Sequence, residues 1–372
     1  MIQQFINKLL LFVAAVIVSL GSCTGTADKT GTITTEASNS VWSPEKAHAW
    51  YKQHPWIVGA NFLPSTAINQ LEMWQAESFD TATIRRELGW ASNIGMNTMR
   101  VYLHSKAYAQ DSTGFLQRMD TYLGIADALG IKTIFVIFDD VWNKEPAIGK
   151  QPDPKPGVHN SGWVQDPGDP FHKDSSVFPA LETYVKAVIG KFASDKRVLL
   201  WDLYNEPGNS GKKTSSLPLL KNVFAWARSV NPEQPLSAGV WAWDFEELNQ
   251  FQVANSDVLT YHDYEEPNWH KRVIELLKIH GRPMICTEYM ARTRGSLFTN
   301  SLAMLKEKKV GAINWGLVAG KSNTIYAWDT PVPDGSEPKV WFHDVFRKDG
   351  SPYSQEEIEL IKKLTTDSVS QK

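Results

Sequence analysis

"WDLYNEPGNS", Trp201 to Ser210, is an apolar run that reaches Asn205, Glu206 and Pro207 and stops. Together with the residues before it, "RVLLWDLY" from Arg197, it reads as a strand buried on both faces, as strands of a parallel sheet are. Working outward, the same kind of run recurs. Upstream stand "WIVGANF" from Trp56, "NTMRVYLH" from Asn97 and "KTIFVIF" from Lys132. Downstream stand "LSAGVW" from Leu236, "DVLTYHDY" from Asp257, "PMICTEY" from Pro283 and "AINWGLV" from Ala312. That makes eight strand candidates.

Helical patterns lie between them. Ile84, Leu88 and Ala91 keep helix spacing, as do Phe178, Leu181, Val185, Val188 and Phe192. "LPLLKNVFAWARSVNP" is a third, with Pro232 as its stop, and "SQEEIELIKKL" closes the chain with Ser354 and Glu357 spaced as a capping box. Eight strands alternating with helices predict an α/β chain folded as a (β/α)8 TIM barrel over residues 46–372. The alternative is a doubly wound open sheet, but no Gly-rich fingerprint follows the first strand. The connection from Asp139 to Ser176 is long and rich in Pro, Gly and aromatics. A loop of that length in a compact domain is commonly functional.

In such barrels the active site forms at the carboxyl ends of the strands. Those ends present Asn61 on strand one, Arg100 on strand two with Tyr102 and His104 in the same alternation, and Asp139 and Asp140 on strand three. Strand four presents Asn205 and Glu206, strand five Trp241, and strand six His262 and Tyr264. Strand seven presents Glu288 and strand eight Trp315. Strands four and seven lie roughly opposite in an eight-strand ring, so two carboxylates face each other. That is the arrangement that cleavage of a glycosidic bond requires: one acid protonates the leaving oxygen, and one carboxylate meets the charge that develops on the sugar. A nearby Arg keeps one of them ionised, and Arg100 can serve that purpose.

"NEP" ending strand four, "TEY" ending strand seven, an Arg on strand two and "HDY" on strand six together resemble the clan A retaining glycoside hydrolases. The chain looks like family 5, while "GANFLP" from Gly59 is more similar to the catalytic barrel of family 2. The resemblance covers residues 50 to 365 and implies a role for each matching position. Glu206 matches the acid/base and Glu288 the nucleophile. Asn205 matches the residue that holds the sugar 2-hydroxyl, and Arg100 the Arg beside the nucleophile. His262 and Tyr264 match the strand-six pair, and Trp315 the platform under the cleaved sugar. Asn61, Asp139 and Trp142 are expected to touch substrate. The implied function is a retaining β-glycosidase on a mannan, glucan or xylan type of glycan. No cofactor, metal or obligate protein partner is expected.

Each residue also has a structural reading. Glu206 could cap a helix with Pro207 in its first turn. Glu288 could pair structurally with Arg100, Trp315 could fill the barrel, and His262 could be a core histidine. These readings leave unexplained why all the groups fall at one end of the barrel. Two other functions share the scaffold: a transglycosylase, and a surface glycan-binding protein without chemistry.

The remaining features concern surroundings. A formal net charge of −3 gives no basic excess for nucleic acid. Trp is frequent, with 15 copies against 11 Tyr, and indole faces suit sugar rings. Residues 1–22 carry Lys8 and then an apolar run from Leu9 to Leu20, too short to span a membrane comfortably and suited to a signal peptide. The run ends in "LGSC", which resembles a bacterial lipoprotein box with Cys23 as the lipidated residue. The expectation is a lipoprotein of the cell envelope, held to the membrane through a polar tether over residues 23–45. The only other cysteine, Cys286, leaves no basis for a disulfide framework.

Overall fold

The computed structural model describes residues 40–169 and 171–366. The expected signal segment and Cys23 lie outside the described residues. Eight parallel strands form one sheet: β1 Val58–Asn61, β2 Thr98–Tyr102, β3 Lys132–Asp139, β4 Val198–Asn205, β5 Leu236–Ser237, β6 Leu259–His262, β7 Met284–Glu288 and β8 Gly311–Asn314. Their order, β5-β4-β3-β2-β1-β8-β7-β6, is that of a barrel opened between β5 and β6. A single parallel bridge between Val240 and Tyr261 closes that gap, with the Val240 amide donating to Thr260 O and the His262 amide to Val240 O. The fold is the (β/α)8 barrel that the alternation of runs predicts. Strand five is shorter than its apolar run: ladder pairing covers Leu236 and Ser237 only.

The strands are buried along their whole length apart from Lys132, which explains why they read as unbroken apolar runs. Ile57, Ile134, Leu199, Leu200, Val258, Ile285 and Ile313 form one apolar cluster. They come from six strands or the residues just before them, so they can meet only inside the barrel. Trp50 and Tyr51 of the helix Pro44–Tyr51 pack against this cluster, closing the amino-terminal end. That helix, and the buried Trp42 whose amide donates to Asp257, show that packed structure begins before residue 46, inside the stretch expected as tether.

The helices follow their patterns with two differences. The helix Leu217–Val230 ends two residues before Pro232, and Asn231, with its left-handed backbone (φ 57°), takes the C-cap. At the last helix, Gln355–Thr366, Ser354 Oγ accepts from the Glu357 amide as a capping box requires. The Glu357 carboxylate does not reciprocate; it receives Arg292 Nε and Nη2 at 3.0 and 2.6 Å. A buried guanidinium needs its counter-charge more than a helix end needs a second cap.

Two connections are long: 140–177 after β3 and 315–354 after β8. Both rise at the carboxyl ends of the strands, where they border the site.

Candidate active site

Glu288 ends β7 and turns its carboxylate into the barrel mouth. Its Oε1 accepts from Arg100 Nη1 at 2.7 Å and from the Tyr102 hydroxyl at 2.8 Å; its Oε2 accepts from the Tyr264 hydroxyl at 2.7 Å. Burial works to raise its pKa. The neighbouring His262 and the Arg100 charge, with the bonds from Tyr264 and Tyr102, outweigh burial and hold the carboxyl below its ordinary value.

Glu206 sits one residue beyond β4 on a turn, with a left-handed backbone (φ 46°) that a non-glycine residue adopts at a cost of about 1–3 kcal/mol. The turn is held from several sides. The Asn209 amide donates to Glu206 O, the Gly208 amide donates to Asp140 Oδ2 at 2.8 Å, and Trp241 Nε1 donates to Pro207 O at 3.1 Å. The following helical segment starts only at Lys213, so Glu206 caps no helix. Its Oε2 accepts from Asn209 Nδ2 at 2.5 Å.

His262 lies between the two acids. Its Nδ1 is 2.8 Å from Glu206 Oε1 and 3.5 Å from Glu288 Oε2. The direction of the shorter contact follows the protonation of the pair: a ring with its hydrogen on Nδ1 donates to ionised Glu206, and protonated Glu206 donates to a bare Nδ1. One donor atom from each of Glu206, His262 and Glu288 falls within 4.8 Å of the others. Among the described residues this cluster also has the compactness of a cation site. The Arg100 guanidinium already bonds Glu288, however, so a metal ion there would face a positive neighbour.

Beneath the pair runs a buried polar layer. Arg100 is fully buried and spends its donors on Asp202 through Nε (2.9 Å) and Nη2 (2.8 Å), on Asn61 Oδ1 (2.9 Å), on Asn205 Oδ1 (2.7 Å) and on Glu288. Burial raises the Asp202 pKa, and the Arg100 charge works against it. Asn205 gives one Nδ2 hydrogen to Asp139 at 2.9 Å, which fixes the orientation of its amide and leaves the second N–H for the cleft. Asp139 also accepts from Trp163 Nε1 at 2.6 Å and Gln70 Nε2 at 3.2 Å. Burial pushes Asp139 up to about 8 against the pull of the Asn205 and Trp163 bonds.

Above this layer opens a cavity of about 760 Å³. Glu206, Glu288, Asn205, His262, Tyr264, Trp315 and Trp142 all line it, so most of the residues singled out in the sequence meet here. Trp142 is 38% exposed at its rim, whereas Trp163, from the same connection, is buried against Tyr102 and Trp315. Asn61 and Asp139, expected to touch substrate, stand outside the cavity lining. Asn61 Oδ1 holds Arg100 and Asp139 holds Asn205 and Trp163, because a buried guanidinium and a buried amide need fixed acceptors. Sequence reasoning gave no part to Asp202, Asn209 or Trp328, the last of which also lines the cavity. Asp202 had a signal, as a lone acid in an otherwise apolar strand. Asn209 and Trp328 had none, since their positions depend on loop geometry.

A barrel with two facing carboxylates at its carboxyl end, one beside a buried Arg, defines the class. The stretch 64–321 matches the cellulase (glycosyl hydrolase family 5) model, and the chain belongs to that family. The family 2 resemblance of "GANFLP" is therefore a local likeness. Over 118 residues, 32% of this chain, it is 28% identical to a probable mannan endo-1,4-beta-mannosidase F of Emericella nidulans, and the match spans 25% of that relative's length. The fold is shared with an endo-1,4-beta-D-mannanase from Thermotoga petrophila RKU-1 (TM-score 0.56, 15% identity, 84% of this chain and 99% of that one). It is also shared with GH5_18 from Streptomyces cattleya (TM-score 0.60, 11% identity, 86% and 82% of the two chains).

Proposed function

We propose that the protein is a retaining β-glycoside hydrolase acting on a β-1,4-linked, mannan-type glycan by double displacement. The observation that carries the mechanism is the closeness of the two acids, with one carboxylate oxygen of each within 4.8 Å of the other. Retaining pairs stand about 5–5.5 Å apart and inverting pairs roughly 6.5–9.5 Å, the latter leaving room for a water. Glu288, bonded by three donors and held below its ordinary pKa, attacks the anomeric carbon as the carbon–oxygen bond to the leaving sugar breaks. Glu206 gives its proton to the departing oxygen. The same Glu206 then takes a proton from water, whose oxygen displaces Glu288 and restores the original configuration. In this reading Asn205 holds the sugar 2-hydroxyl through its remaining N–H, and Trp315 lies under the ring.

The sugar is read from the similarity to mannan-active proteins. Initial rates on β-1,4-linked manno-, gluco- and xylo-oligosaccharides test it. The manno series should be cleaved fastest. Faster cleavage of either other series overturns the sugar assignment, and no cleavage of any overturns the glycosidase reading. The glycosyl-enzyme could also pass its sugar to an acceptor, and half-buried Trp241, Trp243 and Trp269 offer a surface for one on the Glu206 side.

A further inference from the structure

We infer that the cleft is closed at its glycone end, so that the enzyme removes single sugars from the non-reducing end of short chains. This rests on the glycosidase reading and adds to it the mode of attack.

The closure is built by the two long connections. The one after β3 and the one after β8 meet over the mouths of β1 and β2. The Asn160 amide donates to Ser322 O at 2.8 Å and the Val332 amide to Gly157 O at 3.0 Å. Asn323 Nδ2 reaches Lys155 O and Val158 O at 2.9 and 3.2 Å, and His159 Nδ1 lies 2.8 Å from Tyr326 O. The approach at Gly157 admits no side chain: a Cβ there would sit 1.7 Å from Val332 O. The connection after β1 is tied in as well. The Lys321 amide donates to Ser65 O at 3.1 Å, and Asn69 Nδ2 to Gly162 O at 2.8 Å. The result is a wall, not a pair of loose loops. Its inner face is Trp163 and Asn160, both buried, beside Trp315. Behind that face the free space is about 20 Å³, enough for a water or so and far below a sugar ring.

Which end is walled follows from the positions of the acids. The leaving oxygen must sit by Glu206, at the end of β4. The leaving group therefore lies over the β4–β6 half of the ring, where Trp241, Trp243 and Trp269 are half-exposed. The sugar attacked by Glu288 lies over Trp315, and its O4 points away from C1, toward the β8–β1–β2 half. That half carries the wall. A further sugar on O4 would have to occupy the space of Trp163 and Asn160.

The test uses β-1,4-mannopentaose carrying a fluorescent label at its reducing end. Early in the reaction the products should be unlabelled mannose and labelled tetraose, with no shorter labelled fragment. The same pentaose with a benzyl ether on the terminal O4 should be cleaved at least about 100-fold more slowly, because the added group meets the wall. Labelled biose or triose among the first products, or equal rates on the two pentaoses, would overturn the closed end while leaving the glycosidase reading intact. No turnover of the pentaose or of nitrophenyl β-glycosides would overturn both.

Discussion

Glu288 stands at the end of a strand whose five residues are all buried; Glu206 stands on a turn that the strand β4 has already left. The first is gripped by Arg100, Tyr102 and Tyr264, and its side chain is 6% exposed. The second has His262 and Asn209, and its side chain is 13% exposed. Under the proposed double displacement, two identical side chains are held for opposite tasks. A nucleophile must stay ionised and aimed, so fixed donors and a buried cation suit it. An acid/base must exchange its proton with leaving group and water in turn, so fewer bonds and an open side suit it.

The largest expected effect breaks that comparison at its root. Glu288→Ala should lose at least about 10⁵-fold in kcat on every substrate, since the covalent route disappears. Glu206→Ala should depend on the leaving group. Glycan hydrolysis should fall by about 10³-fold or more, because a sugar oxygen leaves poorly without a proton. With a nitrophenyl leaving group the glycosyl-enzyme should still form and then persist. Azide needs no base and should restore turnover, giving a β-glycosyl azide by proton NMR. An α-azide, or rescue of the Glu288 variant instead, would exchange the two roles.

The next effect sharpens the contrast in charge. Arg100 is among the groups that hold Glu288 below its ordinary pKa. Glu288 must be ionised to attack, so activity is lost as pH falls through its pKa. Removing the cation raises that pKa, and the acid limb of kcat/KM should move up in Arg100→Met. The rate should fall by about 10²–10³-fold at the optimum. Asp202 would also be left without its partner, at a cost of about 3–5 kcal/mol in stability. Arg100→Lys, which keeps the charge and loses the fork, should bring the acid limb back toward that of the wild type. An unmoved limb in Arg100→Met would assign the guanidinium a structural role alone.

The two acids were legible in the sequence for the same reason that the barrel was. Parallel strands buried on both faces show as apolar runs, and a carboxylate at the end of such a run points into the mouth. β5 was overread because Ala238 to Trp241 continue the apolar pattern after ladder pairing has stopped. The partners of the acids were harder. Tyr102 fell in the right alternation, but nothing local says that its hydroxyl reaches a residue 186 positions away. Asn61 and Asp139 stand at the expected end of the barrel but outside the cavity lining, since a sequence gives the end of a strand but not the depth of each residue. The wall was not legible at all. Its contacts are mostly backbone bonds between two irregular connections, such as Asn160 with Ser322, and they leave no periodic trace.

The smallest expected effect concerns the turn itself. Asp140 lies under it, fully buried, and takes four donors: the Gly208 amide at 2.8 Å, Tyr204 Oη at 2.8 Å, Lys212 Nζ at 2.6 Å and Ser216 Oγ at 2.5 Å. It touches neither acid, so it acts through the backbone that carries Glu206. Asp140→Asn presents an amide hydrogen where a donor now points, and leaves Lys212 without its counter-charge. The turn should loosen and Glu206 should drift from the leaving oxygen. A misplacement on the order of 1 Å can cost about 100-fold, so glycan hydrolysis should drop by about 10–100-fold. Glu288 is held by Arg100 and Tyr102 of β2 and by Tyr264 just beyond β6, and should keep its aim. Formation of the glycosyl-enzyme from a nitrophenyl glycoside, read as the burst of nitrophenol, should therefore change by less than about 3-fold. The split between the two substrates separates positioning from general damage. A folding defect would lower both rates alike. Equal loss on glycan and nitrophenyl glycoside would mean that Asp140 supports the barrel as a whole and that the turn does not depend on it.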